Sequence, residues 1–312
     1  MISNKTIMQK ADMEVADLIA DGGYLQAEQA EKFIVDLIEE SVMMKLVQVQ
    51  ALKSHTKIMG KVGIDGWVLK PGTSGAALAV ADRTKPTTDE VTLYTHLMKG
   101  EIRLNDEVLE DNIEGGQFKN TVMQIMAEHV ALDMDRVLVN GDTSGATGTV
   151  LDLIDGMLVK ATTHIVNGGT VPINKGMLKD AIKAMPSQYN RLKAQQRFLT
   201  SEDAETDYRD YLADRATVLG DKFIEGDGPV RYNNRPILPV PVFPDNLGAG
   251  TDCTNILLTH PKNAVWGVWR KVKVETDRDI TSGEWIMVVT VRAGFEYEEE
   301  DAVVKVTNVQ TQ

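Results

Sequence analysis

Between Gln117 and Asn140 the chain runs QFKNTVMQIMAEHVALDMDRVLVN without a Gly or Pro. Apolar residues return at Phe118, Val122, Ile125, Met126, Val130, Met134, Val137 and Leu138, the three-and-four spacing that gathers side chains on one helical face. At 1.5 Å per residue such a helix is roughly 36 Å long, enough to cross a small domain. Asn140-Gly141-Asp142 supplies left-handed or turn-forming residues to end it. Phe118, Val122, Ile125, Met126, Val130 and Val137 are its expected core positions.

A second helical pattern runs from Gln26 to about Leu46, with Phe33, Ile34, Leu37, Ile38, Val42 and Leu46 opposite an acidic face. Residues 1–23 before it are mixed in polarity, end in Asp21-Gly22-Gly23 and read as an arm. After it VQVQAL alternates, so the chain turns from helix into strand. Residues 91–113 alternate as strands and feed the long helix. Further on, Asn174–Met185 reads as a short helix capped by Asn174, and Gln196–Thr200 as a buried strand. Ser201 is placed to cap the acidic helix that follows. RYNNRPILPVPVFPD is punctuated by proline and suits an edge or connecting strand. Residues 255–259 form a buried strand, and the chain closes with β-rich runs around an acidic stretch. Helices and strands mix without regular βαβ alternation, which defines the α+β class.

Residues 57–90 break every pattern. The stretch is rich in Gly, Ala and Thr, is broken by Pro71-Gly72 and Lys85-Pro86, and has few large apolar residues. A structureless loop of that length is rare inside a compact domain, so a two-stranded projecting arm fits better. An isolated hairpin is marginal in water, so the arm predicts a neighbour to lie on. Trp67 within it is costly to leave wet and is a favoured interface residue.

Composition narrows the function. The chain has 312 residues, with 46 acidic against 33 basic, a net charge of −13. That excess disfavours tracking a nucleic-acid backbone, where Lys and Arg supply most of the affinity. It suits a surface that lies near nucleic acid without sticking to it, or ordinary solubility. Cys253 is the only cysteine, so neither an intrachain disulfide nor a cysteine zinc cluster can form. No apolar run approaches the roughly 18 residues that span a bilayer, and the N-terminus lacks a signal peptide's apolar stretch. The expectation is no membrane and a chain made in the cytoplasm.

Candidate chemistry is thin. Gly141-Asp142-Thr143-Ser144-Gly145 faintly echoes a nucleophilic serine, but no motif places a His and an acid with it, and a helix-ending turn is the better reading. Asp133 and Asp135 are two apart, which does not put them side by side on a helix. The five histidines (His55, His96, His129, His164 and His260) fall singly, so no metal is indicated. Carboxylate runs such as Glu298-Glu299-Glu300-Asp301 read as solvated faces. No phosphate-binding glycine motif appears, and no cofactor is expected.

Taken in order, these segments resemble the major capsid proteins of tailed bacteriophages, which share the Hong Kong 97-type fold. The resemblance rests on AEQAEKFIVDLIEESVMMKLVQVQAL after an arm, the Gly-rich stretch 57–90, VTLYTHLMKGEIRLNDEVLED, the long helix ending in Asn-Gly-Asp-Thr, and HPKNAVWGVWRKVKVETDRDI before a terminal β pair. It covers about Gly23 to Val309.

The resemblance implies an N-arm at 1–23, a peripheral (P) domain begun at 24–56, an extended E-loop at 57–90, and the P-domain strand and spine helix at 91–149. It further implies an axial (A) domain at 150–258 and a return to the P domain at 259–312. Intersubunit contacts would come from the E-loop through Trp67, Leu69, Lys70, Leu78, Arg83 and Lys85. Such a chain is no enzyme. It assembles with itself, as pentamers and hexamers, into the icosahedral head of a virion built in the host cytoplasm around double-stranded DNA. Its other implied partners are a portal protein and a decoration protein. No long charged coiled segment precedes the arm, which implies a separate scaffolding protein. Some relatives cross-link through a Lys and an Asn; Lys57, Lys61, Lys70 and Lys85 lie in the arm, but nothing singles one out. An encapsulin-like nanocompartment shell and, from a different class, a soluble acidic hydrolase are the alternatives.

Overall fold

The computed structural model describes residues 43–64, 66–72, 74, 75, 77–107, 118–145, 148–213, 228–248 and 252–311. The expected arm at 1–23 lies outside them, as does the helix from Gln26 except for its last turn, α1 (Met43–Leu46).

Two sheets carry the body. The first has the order β1-β10-β11-β4, from β1 (Gln48–Ala51), β10 (Ala264–Asp279), β11 (Glu284–Tyr297) and β4 (His96–Asn105). β1 runs parallel to β10, and β11 is antiparallel to both β10 and β4. Across this sheet lies α2 (Phe118–Asn140), 23 residues and roughly 35 Å long, within one residue of the range its periodicity predicts.

Phe118 and Met126 of α2 are buried against Leu104, Met287 and Val289. Val137, Leu138 and Val139 enter a larger core with Met157, Trp266 and Phe295. Three successive buried residues mean the helix end is enclosed on every side, beyond the single face its pattern predicts. Val122 and Val130, expected in the core, are half-buried at the margin of the Met287 cluster, and Ile125 is half-buried as well. The sheet meets the middle of α2 along a narrow contact, and the apolar stripe there is wider than its cover.

The end of α2 is set by packing and not by a left-handed residue. Gly141 N–H donates to Val137 O at 3.0 Å, and a Cβ on Gly141 would fall 2.0 Å from Ile154 O. Only glycine fits where the chain doubles back this closely. The turn that follows is tied by Asp142 Oδ1, which accepts from Ser144 N (2.9 Å) and Ser144 Oγ (2.6 Å). That side-chain hydrogen bond is the main reason the Asp142 carboxyl sits below its ordinary value. The Gly-Asp-Thr-Ser-Gly run is thus a self-bonded turn.

The second sheet has the order β5-β12-β9-β6-β8-β7. Its strands are β5 (Ile165–Pro172), β6 (Arg197–Thr200), β7 (Arg231–Tyr232), β8 (Arg235–Pro239), β9 (Cys253–Thr259) and β12 (Val304–Gln310). Every residue of β9 is buried, because both faces are covered. Leu257 joins Trp266 and Phe295 in the core shared with the first sheet. Ile256 and Leu258, one residue either side, join the core under α4 (Lys175–Ala184) and α5 (Glu202–Ala213). Asn174 Oδ1 caps α4 from Gly176 N (2.8 Å) and Met177 N (3.1 Å), and Ser201 Oγ accepts from Ala204 N at the start of α5. α3 (Met157–Lys160) links the end of α2 to this half of the chain.

Two details differ from the sequence reading. Asn233 and Asn234, both with positive φ, make a two-residue turn that pairs β7 with β8 inside the proline-punctuated stretch. The division by sheets also departs from a return at 259–312: β10 and β11 join the first sheet, whereas β12 lies between β5 and β9 in the second. Valine alternation in VVKVTNV fixes a strand but not the sheet that receives it.

Candidate assembly surface

β2 (Thr56–Ile64) and β3 (Pro86–Tyr94) pair as the third sheet, a two-stranded hairpin. Its ladder is unbroken over nine pairs, from Thr56↔Tyr94 to Ile64↔Pro86. Alternation makes the strands; few apolar residues and many threonines leave both faces without a covering layer among the described residues.

The root is locked to the body. Leu93 is fully buried with Leu52 and Val265. Thr95 N and Oγ1 both donate to His55 O, at 3.1 and 2.9 Å. The His55 ring lies 6.0 Å from that of Trp269, over which Arg292 stacks at 4.7 Å. The chain crosses β11 so closely that a Cβ on Gly294 would fall 1.8 Å from Tyr94 O. Lys61 extends the anchorage by an ion pair with Glu299 at 3.4 Å.

The far end is open. Trp67 is 84% exposed, Leu69 87% and Val62 77%, with Val80 close behind. Leaving side chains of this size in water forgoes roughly 1.5–3 kcal/mol each. Among the described tip residues, Arg83 Nε donates to Leu78 O at 3.3 Å, Thr84 Oγ1 to Trp67 O at 3.4 Å, and Asp82 N to Ala79 O at 3.0 Å. All six residues expected to make intersubunit contacts (Trp67, Leu69, Lys70, Leu78, Arg83 and Lys85) fall on this tip and are exposed. Of the lysines considered for cross-linking, Lys57 donates to Gln50 Oε1 and Lys61 pairs with Glu299, whereas Lys70 and Lys85 are exposed. The tip thus exposes one aromatic and several aliphatic side chains, with Lys70, Arg83 and Lys85 exposed beside them.

Sequence reasoning found the tip but missed the root. Gly294 and Thr95 carry no signal in an isolated sequence, because their roles exist only once two distant segments cross. Among the described residues no three His, Cys, Asp or Glu side chains gather as a metal site, and no helix is long and apolar enough to cross a membrane.

A projecting hairpin, a long helix across a four-stranded sheet and a second, six-stranded sheet make up the architecture. The chain belongs to the phage capsid family, whose model matches residues 22–308. YqbE of Bacillus subtilis (strain 168), which bears the name of a prophage capsid protein, is 33% identical over 98% of this chain and 99% of its own. Among solved structures, the capsid of a native GTA particle superposes with a TM-score of 0.67 at 15% identity, over 94% of this chain and 98% of its own. The SrpI encapsulin of Synechococcus elongatus PCC 7942 gives 0.61 at 12% identity, over 96% and 97%. The fold is therefore the α+β Hong Kong 97-like capsid fold, and the chain is a structural component of a capsid shell.

Proposed function

We propose that this chain is the major capsid protein of a tailed phage or prophage, which assembles with itself as pentamers and hexamers into an icosahedral head around double-stranded DNA. The observation that carries the reading is the exposed apolar tip on an anchored hairpin. In this reading residues 57–90 are the loop that overlaps a neighbouring subunit. The four-stranded sheet with α2 is the peripheral domain, and the six-stranded sheet with α4 and α5 is the axial domain. Each contact is weak alone, and closed symmetry multiplies it. The acidic excess keeps packaged DNA mobile by offering few phosphate partners. Assembly takes place in the host cytoplasm with a portal protein, a separate scaffolding protein and, on the finished shell, a decoration protein.

A nanocompartment shell is the second reading, favoured by the match to an encapsulin over nearly the full length of both chains. Particles purified from cells that carry the intact gene neighbourhood separate the two: nuclease-protected DNA supports the phage head, and enzyme cargo with no DNA supports the compartment. Replacement of residues 67–85 by a short turn tests either form of the shell reading. A folded subunit that forms no particles in electron micrographs is expected; abundant normal particles would refute the assigned role of the tip.

A further inference from the structure

On the face of the first sheet turned away from α2, the ladder sets Arg270 of β10 directly opposite Arg292 of β11, and Arg292 opposite Leu97 of β4. Side chains placed directly opposite share a face with their Cβ atoms roughly 5 Å apart, and like charges so placed repel. The other cations of this face find an acid two residues along their own strand. Lys99 pairs with Glu101 at 3.2 Å, Arg103 with Glu101 at 2.9 Å, and Lys273 with Glu275. Arg270 has Val268 and Val272 at those positions, and Arg292 has Thr290 and Gly294. Among the described residues neither arginine meets a carboxylate, and the buried Arg292 Nε donates to no acceptor.

The surroundings add an apolar flank. The ladder slips on both sides of Arg270, and the irregularity brings Trp269 under the Arg292 guanidinium, 4.7 Å from its ring centre. Trp269, Leu97 and Arg270 are all exposed. Two positions further along the strands, Glu101 and Glu275 lie on either side of Val288. A polyanion laid across the patch would run onto these acids, whereas a single carboxylate reaches the two arginines alone.

We propose that Arg270 and Arg292 receive a carboxylate side chain from an acidic peptide segment of a partner protein, with an apolar residue beside that carboxylate covering Trp269 and Leu97. Guanidinium forks hold carboxylates through paired hydrogen bonds, so one Asp or Glu bridges the two arginines and ends their repulsion. The site is independent of the hairpin tip and goes beyond the shell reading.

A dansyl-labelled Gly-Glu-Leu-Glu-Gly amide, followed by fluorescence anisotropy with the full-length chain at low salt, tests it. Saturable binding is expected, weakened at least about tenfold by Arg270→Glu. Lys179→Glu makes the same charge change at an exposed position of α4 and should stay within about twofold of the native chain. Arg270→Glu also places a carboxylate opposite Arg292 within the chain, so its melting temperature should rise by about 1–2 °C. A structural role for Arg270 predicts a fall instead. Should the glutamate distort β10 by circular dichroism, Arg270→Gln removes the fork without adding charge and should weaken the peptide at least about fivefold. No binding by the native chain, equal binding by the variants, or a lower melting temperature in Arg270→Glu each overturns the inference. Tighter binding of a labelled thymidine trinucleotide of the same charge would assign the pair to phosphate and overturn it as well. Particle yield of Arg270→Glu should match the native chain; its loss would place a second copy in the site and overturn the choice of a separate partner.

Discussion

The β2–β3 and β10–β11 hairpins are both long antiparallel pairs that carry valine and isoleucine. In β11, Met287 and Val289 are buried, because β4 pairs along its other edge and Phe118 and Met126 of α2 cover its face. In β2, Val62 and Ile64 are more than half exposed, because among the described residues no third strand and no helix covers them. The two hairpins therefore differ in cover and not in kind. One completes its burial within the chain; in the proposed shell the other completes it on association, when a neighbour supplies the missing layer.

That contrast can be broken from either side. The largest effect should come from the covered region: Trp266→Ala opens a cavity in the core shared by the two main sheets and is expected to cost about 3–5 kcal/mol in chemical denaturation. A loss under 1 kcal/mol would deny that the two sheets share one core. Next is Gly294→Ala at the hairpin root, where the added Cβ must displace the Tyr94 carbonyl; a loss of about 1–3 kcal/mol is expected. This variant should loosen the stalk, seen as faster amide exchange in 86–95, without altering the tip. Asn174→Ala and Ser201→Ala each remove a helix cap and should cost about 1 kcal/mol.

The fourth probe is pH. Burial pushes the Glu300 carboxyl up, but hydrogen bonds from Thr162 N (3.1 Å), Thr162 Oγ1 (2.5 Å) and Thr163 Oγ1 (2.8 Å) outweigh it and hold the group below its ordinary value. A depressed folded value means a contribution present above the unfolded value, near 4.5, and lost as the pH falls through the lower folded one. Glu300→Gln should therefore lower stability slightly at neutral pH and flatten the loss on the acid side. An acid limb unchanged in the variant would remove Glu300 from the account.

Much of the body is written in local pattern. The uninterrupted apolar run of α2, the ILL of β9 and the caps at Asn174 and Ser201 each announce an element within a few residues. What stays hidden depends on crossings between distant segments. Gly141 reads as part of a left-handed or turn-forming stop, and its further role is to let Ile154 approach. Ile125 carries the right spacing for the core and is half-buried, because periodicity gives a face and not the width of what covers it. The exposure of Trp67 was legible for the opposite reason: a Trp among Gly, Thr and Ala has no local partner to bury it. The pairing of Arg270 with Arg292 was not, since the two come together only in the ladder.

The smallest expected effect on stability belongs to the tip, and it tests the central claim most directly. Trp67→Ser/Leu69→Ser removes two exposed side chains and should leave unfolding free energy within about 0.5 kcal/mol of the native chain. Sedimentation of the same sample should show subunits with few or no shells. Normal shell yield, or a subunit that melts with its tip, would contradict the division between a folded body and a tip that waits for its neighbour.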